Sequence, residues 1–521
     1  MKRPEMLQRV VDRAGPWDMV IIGGGATGVG CAVDAASRGY EVLLVEQSDF
    51  GKGTSSRSTK LIHGGVRYLE QGNLSLVMEA LRERGILRQN APHLVHDLAF
   101  VVPSYDWWES PFYGLGLKVY DLLAGKYGFG PSQLLSREAT QARLPNIKAE
   151  GLRGGVVYYD GQFDDTRLLI NLAQTAEEQG ATLVNYAQVT GLSKGADGFV
   201  DGVQVLDVET GRRFGVRAKV VINATGCFSD AVRRLAEPGA AAMIAPSQGI
   251  HLVFDHSFLS GNSAIMVPHT ADGRVMFAIP WHNHTVVGTT DTPIDHVSLE
   301  PRPLSEEIEF ILETAAQYLD RAPARSDVLS VFTGIRPLVN SGDAGNTAAL
   351  SRDHTIRIDN SGLLSIAGGK WTTYRRMAED CINQAAVLAR LPEVDSATTH
   401  LKIHGSRSEE KQLANLEVYG SDADAIQELI RSAPSLGEPL HASLPYCGAE
   451  VVWAARMEMA RTVEDVLARR TRALFLNAQA ASEMASPVAA LLAGELQQGA
   501  AWIAQQVADF QQLAQGYRIA P

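Results

Sequence analysis

The sequence predicts an α/β protein in three parts: a buried parallel sheet, an antiparallel sheet and an all-helical C-terminal region. Three observations carry that prediction. A strand–helix–strand pattern opens the chain, alternating apolar segments fill its middle, and helix-period apolar stripes occupy its end. The 521 residues are 45% hydrophobic and 20% charged, ample core for about three domains at roughly 100–200 residues each. The 48 Gly and 22 Pro follow no period, which excludes collagen-like, solenoid and low-complexity classes. A formal net charge of -12 opposes broad electrostatic binding to nucleic acid.

The opening pattern is a complete βαβ unit. Trp17 to Ile22 is an apolar run that meets Gly23-Gly24-Gly25-Ala26-Thr27-Gly28, after which Val29, Ala32, Val33 and Ala36 recur at helical spacing. Gly39 ends that helix, and Glu41 to Val45 forms a second apolar run closed by Glu46. Glycines at Gly23-x-Gly25-x-x-Gly28, directly after a strand and opening a helix, permit a tight turn, close backbone approach to a pyrophosphate and close helix packing. Glu46, at the end of the second strand, is placed to accept hydrogen bonds from a ribose. This context outweighs the bland reading of a glycine turn without a ligand. It does not separate NAD from FAD.

Further along, Lys219 to Asn223 before Ala224-Thr225-Gly226, and Leu363 to Ala367 before Gly368-Gly369, return the chain to the same sheet. Between them Ser263 to Pro268, Val275 to Pro280 and His284 to Gly288 alternate like antiparallel strands, separated by turns at Ala271-Asp272-Gly273 and His282-Asn283. Residues 391–399 have linker character, and the remainder reads as helix. Thr462-x-x-Asp465 resembles a capping box, and Val488, Leu491, Leu492, Leu496, Trp502, Ile503, Val507 and Phe510 trace one apolar stripe. The expected division is a discontinuous dinucleotide-binding domain over 17–95, 151–226 and 330–385. A substrate domain takes 96–150 and 227–329, and a helical domain takes 400–521. Cys31, Cys227, Cys381 and Cys447 form no C-x-x-C pair and read as buried thiols in a reducing compartment. Met1 to Pro16 lacks the apolar core of a secretory signal, and no stretch offers about 20 lipid-compatible residues, so no membrane-spanning segment is expected.

Five motifs carry a family resemblance. They are the hydroxyl- and glycine-rich run Thr54 to Tyr68, with His63-Gly64-Gly65-Val66-Arg67, then Tyr158 to Leu168, Gly288-Thr289-Thr290-Asp291, Gly334-Ile335-Arg336-Pro337-Leu338, and Gly368-Gly369-Lys370-Trp371-Thr372-Thr373-Tyr374-Arg375. In these the chain resembles the FAD-dependent, quinone-linked glycerol-3-phosphate dehydrogenases of respiration, over residues 17–385, and the run Asp465 to Arg472 extends the likeness. Two departures are Trp371, where an aliphatic residue is usual, and Gly249-Ile250-His251. The resemblance implies an FAD-binding Rossmann-like domain of the glutathione-reductase/D-amino-acid-oxidase type. Gly23, Gly25, Gly28 and Glu46 would hold the ADP half of a non-covalent FAD. Val189 would meet the adenine, and Thr54, Ser55, Ser56, Gly226, Gly369, Lys370 and Thr372 would follow the rest of the cofactor. It further implies sn-glycerol 3-phosphate as substrate, a quinone as electron acceptor, no nucleic acid, compatibility with a homodimer, and a cytoplasmic, peripheral place on the inner face of the cytoplasmic membrane.

A phosphorylated polyol needs fixed cations, and Arg67, Arg336 and Lys370 are the family's active-site cations, each read as lying in a glycine or proline turn. Alcohol oxidation also needs a base for the hydroxyl proton. His251 and His63 are the candidates, with Lys370 if its pKa is depressed. Arg336 stays protonated and instead stabilises the developing alkoxide. Arg57, Lys60 and Arg375 read as structural or surface residues. For membrane attachment two segments stand out. One is the aromatic run from Trp107 and Trp108 through Phe112, Leu115, Val119 and Leu122 to Phe129, with a buried core helix as the alternative; the other is a basic face at Arg469, Arg470 and Arg472. Rival readings are an oxidase or dehydrogenase of another polyol phosphate on the same fold, an amino-acid oxidase, and a catalytically dead flavin-bearing interaction protein. Retention of Arg67, His251, Arg336 and Lys370 together opposes the last.

Overall fold

In the computed structural model, residues 1–65, 73–106, 109–268, 270, 275–340, 353–407 and 414–519 are described. Runs of Val, Ile and Leu with no polar alternation have to be covered on both faces, and here they form a parallel sheet. Strands β1 (Trp17–Ile22), β2 (Val42–Val45), β7 (Thr182–Val184), β10 (Arg213–Asn223) and β18 (Leu364–Gly368) lie in the order β18-β10-β1-β2-β7, all parallel. Strand β17 (His354–Ile358) adds antiparallel to β18, and the hairpin β8 (Ala187–Lys194) and β9 (Val200–Asp207) extends from β10. Helices α1 (Ala26–Ser37), α4 (Asp165–Glu178) and α5 (Tyr374–Leu388) bury their apolar faces in the same core. The three expected returns of the chain, at residues 17, 219 and 363, are therefore one sheet.

The second sheet is built on two long antiparallel strands, β11 (Ile244–Asp255) and β16 (Val328–Val339). From β11 it runs outward through β14 (His284–Gly288), β13 (Met276–Trp281), β12 (Ser263–Val267), β4 (Val95–Ser104), β6 (Gly154–Phe163) and β3 (Leu61–Ile62), with β5 (Gln133–Ser136) and β15 (Thr292–Pro293) at its margins. His282 and Asn283, with φ of 45° and 57°, make the two-residue turn between β13 and β14; consecutive left-handed residues match the strands' twist. The Ala271-Asp272-Gly273 turn lies outside the described residues.

The expected domain boundaries need correction. Strands β3, β6 and β16 belong to this second sheet, although residues 17–95, 151–226 and 330–385 were assigned to the dinucleotide-binding domain. A strand buried on both faces is a plain apolar run whichever sheet it joins, so periodicity does not assign it.

The C-terminal region is helical, as expected, apart from a short hairpin of β19 (Pro439–His441) and β20 (Leu444–Cys447). Val488 and Leu492 of α6 (Ala478–Leu496) and Phe510 of α7 (Ala500–Gln515) share one core with Trp281 and Phe332 of the second sheet. The capping box is present: Thr462 Oγ1 accepts from Asp465 N, and Asp465 Oδ2 accepts from Thr462 N, both at 3.1 Å.

The basic face proposed at Arg469, Arg470 and Arg472 is not a surface. All three are buried: Arg469 and Arg470 pair with Asp49 at 2.5 and 2.8 Å, and Arg472 with Asp165 at 3.1 Å. Their charges neutralise buried carboxylates, so they are closed to lipid. The four cysteines are buried free thiols, as expected. Among the described residues, no helix is long and apolar enough to cross a membrane.

One ion-paired histidine ties the C-terminal region to the first domain. His404 contacts Glu178 of α4 through Nδ1 at 2.5 Å and Asp422 through Nε2 at 2.8 Å. Burial opposes its charge, but the two carboxylates win and raise its pKa to about 9. A folded-state pKa above the unfolded value of about 6.5 means that this stabilisation is complete below pH 6.5 and lost as pH rises through 9. The melting-temperature gap between the natural protein and His404→Asn is therefore expected to shrink from pH 6.5 to 9. A constant gap would show that the imidazolium contributes nothing.

Candidate active site

Strand β1 ends at a turn that only glycine can make. Gly23 has φ of +111°, and a Cβ on it would lie 2.7 Å from the Ala224 carbonyl oxygen. A Cβ on Gly28 would lie 1.9 Å from Gly23 O, so this glycine brings α1 against the turn. Gly25 is the extended N-cap, and the Ala26 N–H donates to Ser55 Oγ at 2.9 Å. Glu46 accepts from Gly24 N at 2.7 Å and Ser48 N at 2.8 Å; burial raises its carboxyl pKa, and these two amides oppose the rise.

A cavity of about 560 Å³ is lined by this turn. Glu46, Val189, Thr54, Ser55, Gly226, His63, His251, Arg336, Gly369, Lys370 and Thr372 all line it. Residues from distant segments thus share one cavity, although the motifs at 158–168 and 288–291 contribute none of its lining. Ser56 does not line it either. It is buried away from the cavity, its hydroxyl donates to Gly53 O at 3.3 Å, and its assignment as a cofactor contact is corrected. Arg67 lies outside the described residues.

His251 sits on β11, buried, with its ring stacked on Phe332 at 4.8 Å between centroids. Its Nε2 is 2.9 Å from Thr59 Oγ1. Burial, then the charges of Lys60 and Arg336, hold its pKa well below the usual histidine value, so the ring is a neutral acceptor at physiological pH.

Arg336 is on strand β16 opposite Ser247, not in a turn as the sequence suggested. Its guanidinium meets Asp291 Oδ1 at 3.2 Å, Thr290 O at 2.9 Å and Thr289 Oγ1 at 3.1 Å, leaving the side chain 23% exposed toward the cavity. A Cβ on Gly249 would lie 2.5 Å from Arg336 Nη2, so glycine there admits the guanidinium against β11.

His63 is held through its backbone: its N–H donates to Thr372 Oγ1 at 3.3 Å, and the next N–H, of Gly64, donates to Tyr120 Oη at 2.9 Å. Lys370 is the extended N-cap of the turn Trp371–Thr373 that leads into α5. Trp371 Nε1 donates to Ser55 O at 2.9 Å, a polar link between the two cofactor-side loops that an aliphatic residue would lack.

Sequence reasoning missed Thr59, the partner of His251, and Asp291, the carboxylate that orients Arg336. Both lie inside quoted motifs, yet their partners come from other segments. A cavity lined by a buried acid, a glycine turn with its helix N-terminus, and a set of cations and imidazoles offers the donor set that FAD needs.

Comparison with known proteins agrees. A family model described as FAD dependent oxidoreductase matches residues 18–375, and one described as the C-terminal domain of alpha-glycerophosphate oxidase matches residues 363–503. The mitochondrial glycerol-3-phosphate dehydrogenase of Rattus norvegicus is 41% identical over 514 residues, covering 92% of this chain and 70% of the relative. That of Homo sapiens is 42% identical with the same coverage. This chain belongs to the FAD-dependent glycerol-3-phosphate dehydrogenase family. A solved family member, the glycerol-3-phosphate dehydrogenase of Bacillus halodurans complexed with FAD, is 28% identical with a TM-score of 0.81, covering 99% of this chain and 97% of that one. The L-alpha-glycerophosphate oxidase of Mycoplasma pneumoniae, 18% identical with a TM-score of 0.57, covering 74% of this chain and 97% of that one, shares the fold. As a member of the glycerol-3-phosphate dehydrogenase family the chain uses FAD.

Proposed function

We propose that this chain oxidises sn-glycerol 3-phosphate to dihydroxyacetone phosphate and passes the electrons to a quinone at a membrane surface. The observation that carries the first half is the convergence of His251, Arg336, His63 and Lys370 on one cavity that Gly23, Gly25 and Glu46 also line. Gly23, Gly25 and the N-terminus of α1 take the pyrophosphate, and Glu46 and Val189 the adenosine end. FAD, when bound, supplies the acceptor for the hydride lost from the carbinol carbon.

The chain's own residues do the rest. His251 accepts the hydroxyl proton, a role its neutral ring suits. Arg336, oriented by Asp291, keeps its charge at all working pH values and binds phosphate or the developing alkoxide. Lys370 adds a second cation, and His63 lines the same cavity. The balance is simple: one hydride and one proton leave the secondary alcohol, and a ketone remains. Dihydroxyacetone phosphate formed with an artificial dye acceptor tests this half, and absence of product would reject it.

The second half rests on helix α3 (Glu109–Ala124). Its inner face, Leu117, Tyr120 and Ala124, is buried in the core, whereas Phe112, Leu115, Val119 and Leu122 are 52, 72, 39 and 81% exposed. These four recur at helical spacing on one side, beside exposed Lys118 and Lys126. An apolar stripe with flanking lysines suits an anionic bilayer and makes the chain a peripheral protein of the cytoplasmic face. Trp107 and Trp108 lie outside the described residues. Leu115→Glu with Leu122→Glu is expected to abolish co-sedimentation with anionic vesicles and to lower quinone reduction while dye reduction persists. Unchanged vesicle binding would move the attachment elsewhere.

A further inference from the structure

Lys60 is wholly buried, an uncommon place for a lysine. Its Nζ lies 2.6 Å from Asp165 Oδ2 and donates to Ser56 O at 2.8 Å. The rings of Phe332, Trp281 and Phe475 stand 5.0, 5.2 and 5.4 Å from it. Phe332 is also the ring on which His251 stacks. The backbone of Lys60 has φ of +64°, a left-handed conformation that a lysine adopts only when its surroundings impose it.

These contacts over-determine one short loop. Ser58 Oγ donates to Asp165 Oδ2 at 2.7 Å and accepts from Lys60 N at 3.0 Å. Arg472 of the C-terminal region donates to the same Ser56 carbonyl at 2.8 Å and to Asp165 Oδ1 at 3.1 Å. Between these anchors sits Thr59, whose hydroxyl meets His251 Nε2. Lys60 itself does not line the cavity.

We propose that Lys60 is a positioning residue for the alcohol oxidation: its buried ammonium locks the Ser56–Thr59 loop, so that Thr59 presents the His251 imidazole to the substrate as a proton acceptor. The proposal rests on the reading of His251 as the base. The charged groups facing Lys60 are Asp165, Asp164, Arg472 and His251, and those facing His251 are Lys60 and Arg336. Burial draws the Lys60 pKa down to about 7 against the pull of Asp165. On the acid side of neutrality, where a histidine ordinarily takes up a proton, Lys60 is therefore charged and disfavours the imidazolium. On the alkaline side the ring is neutral without help.

The test uses FAD-loaded enzyme with Lys60→Met, which keeps the volume and leaves Asp165 paired with Arg472 and Ser58. The expected result is an acid limb of kcat and kcat/KM displaced upward by about one pH unit, with KM on the alkaline plateau little changed. Loss of packing alone would lower the melting temperature without moving that limb. If the single variant does not fold, Lys60→Met combined with Asp165→Asn removes both charges, and the same displacement is required of it. Wild-type kcat and an unmoved limb in either variant overturn the proposal. His251→Asn separates the two claims: an acid limb that survives in it refutes the base assignment, whatever Lys60 does.

Discussion

His251→Asn is expected to lower kcat about 100- to 10,000-fold, the range for removing a general base, while the flavin stays bound. Asparagine keeps a polar side chain of similar reach on β11, and its amide cannot take up a proton near neutral pH. His251 meets the protein through Thr59 Oγ1 and the Phe332 ring, contacts made within the second sheet and its loop rather than with the glycine turn. Loss of turnover should thus be separable from loss of cofactor. Rapid-mixing measurement of flavin bleaching by substrate reads the chemical step alone. Bleaching at the wild-type rate would assign the base to His63 or Lys370.

Arg336→Ala is expected to cost about 1.5–3 kcal/mol of transition-state binding, the range for hydrogen bonds to a charged group, or roughly 10- to 150-fold in kcat/KM. The variant also leaves the buried Asp291 without its cation, so the loss should lie toward the upper end. Arg336→Lys should not restore the enzyme. The guanidinium reaches Asp291, Thr290 O and Thr289 together, a forked set that a single ammonium does not reproduce. Steady-state kinetics with a dye acceptor check both variants. An unchanged kcat/KM would place phosphate and alkoxide on other cations.

The parts of this fold legible in the sequence were those fixed by local backbone geometry. The turn at Gly23 and the close approach at Gly28 exclude side chains, so the glycine pattern survives as a readable sign. The His282-Asn283 turn and the parallel strand returns are similar cases. What was not legible depended on partners far along the chain. Arg469, Arg470 and Arg472 read as a basic surface because Asp49 and Asp165, hundreds of residues away, are invisible from the local sequence. Ser56 sits between two cavity-lining neighbours, Ser55 and Arg57, yet turns inward, because a 3-10 turn at Thr54–Ser56 rotates successive side chains around its axis. The local sequence leaves Lys60 between a structural and a surface role for a similar reason: its countercharge and its aromatic surroundings come from four other segments.

If the cavity joins FAD to a glycerol phosphate at His251 and Arg336, the bound flavin is reduced by that substrate alone. The most direct measurement is an anaerobic titration of the FAD-loaded protein with sn-glycerol 3-phosphate, followed in the visible spectrum, with glycerol and a 2-hydroxy acid as controls. The account predicts stoichiometric bleaching of the yellow flavin by sn-glycerol 3-phosphate and none by either control. A flavin that remains oxidised with sn-glycerol 3-phosphate, or that bleaches equally with all three, would contradict it.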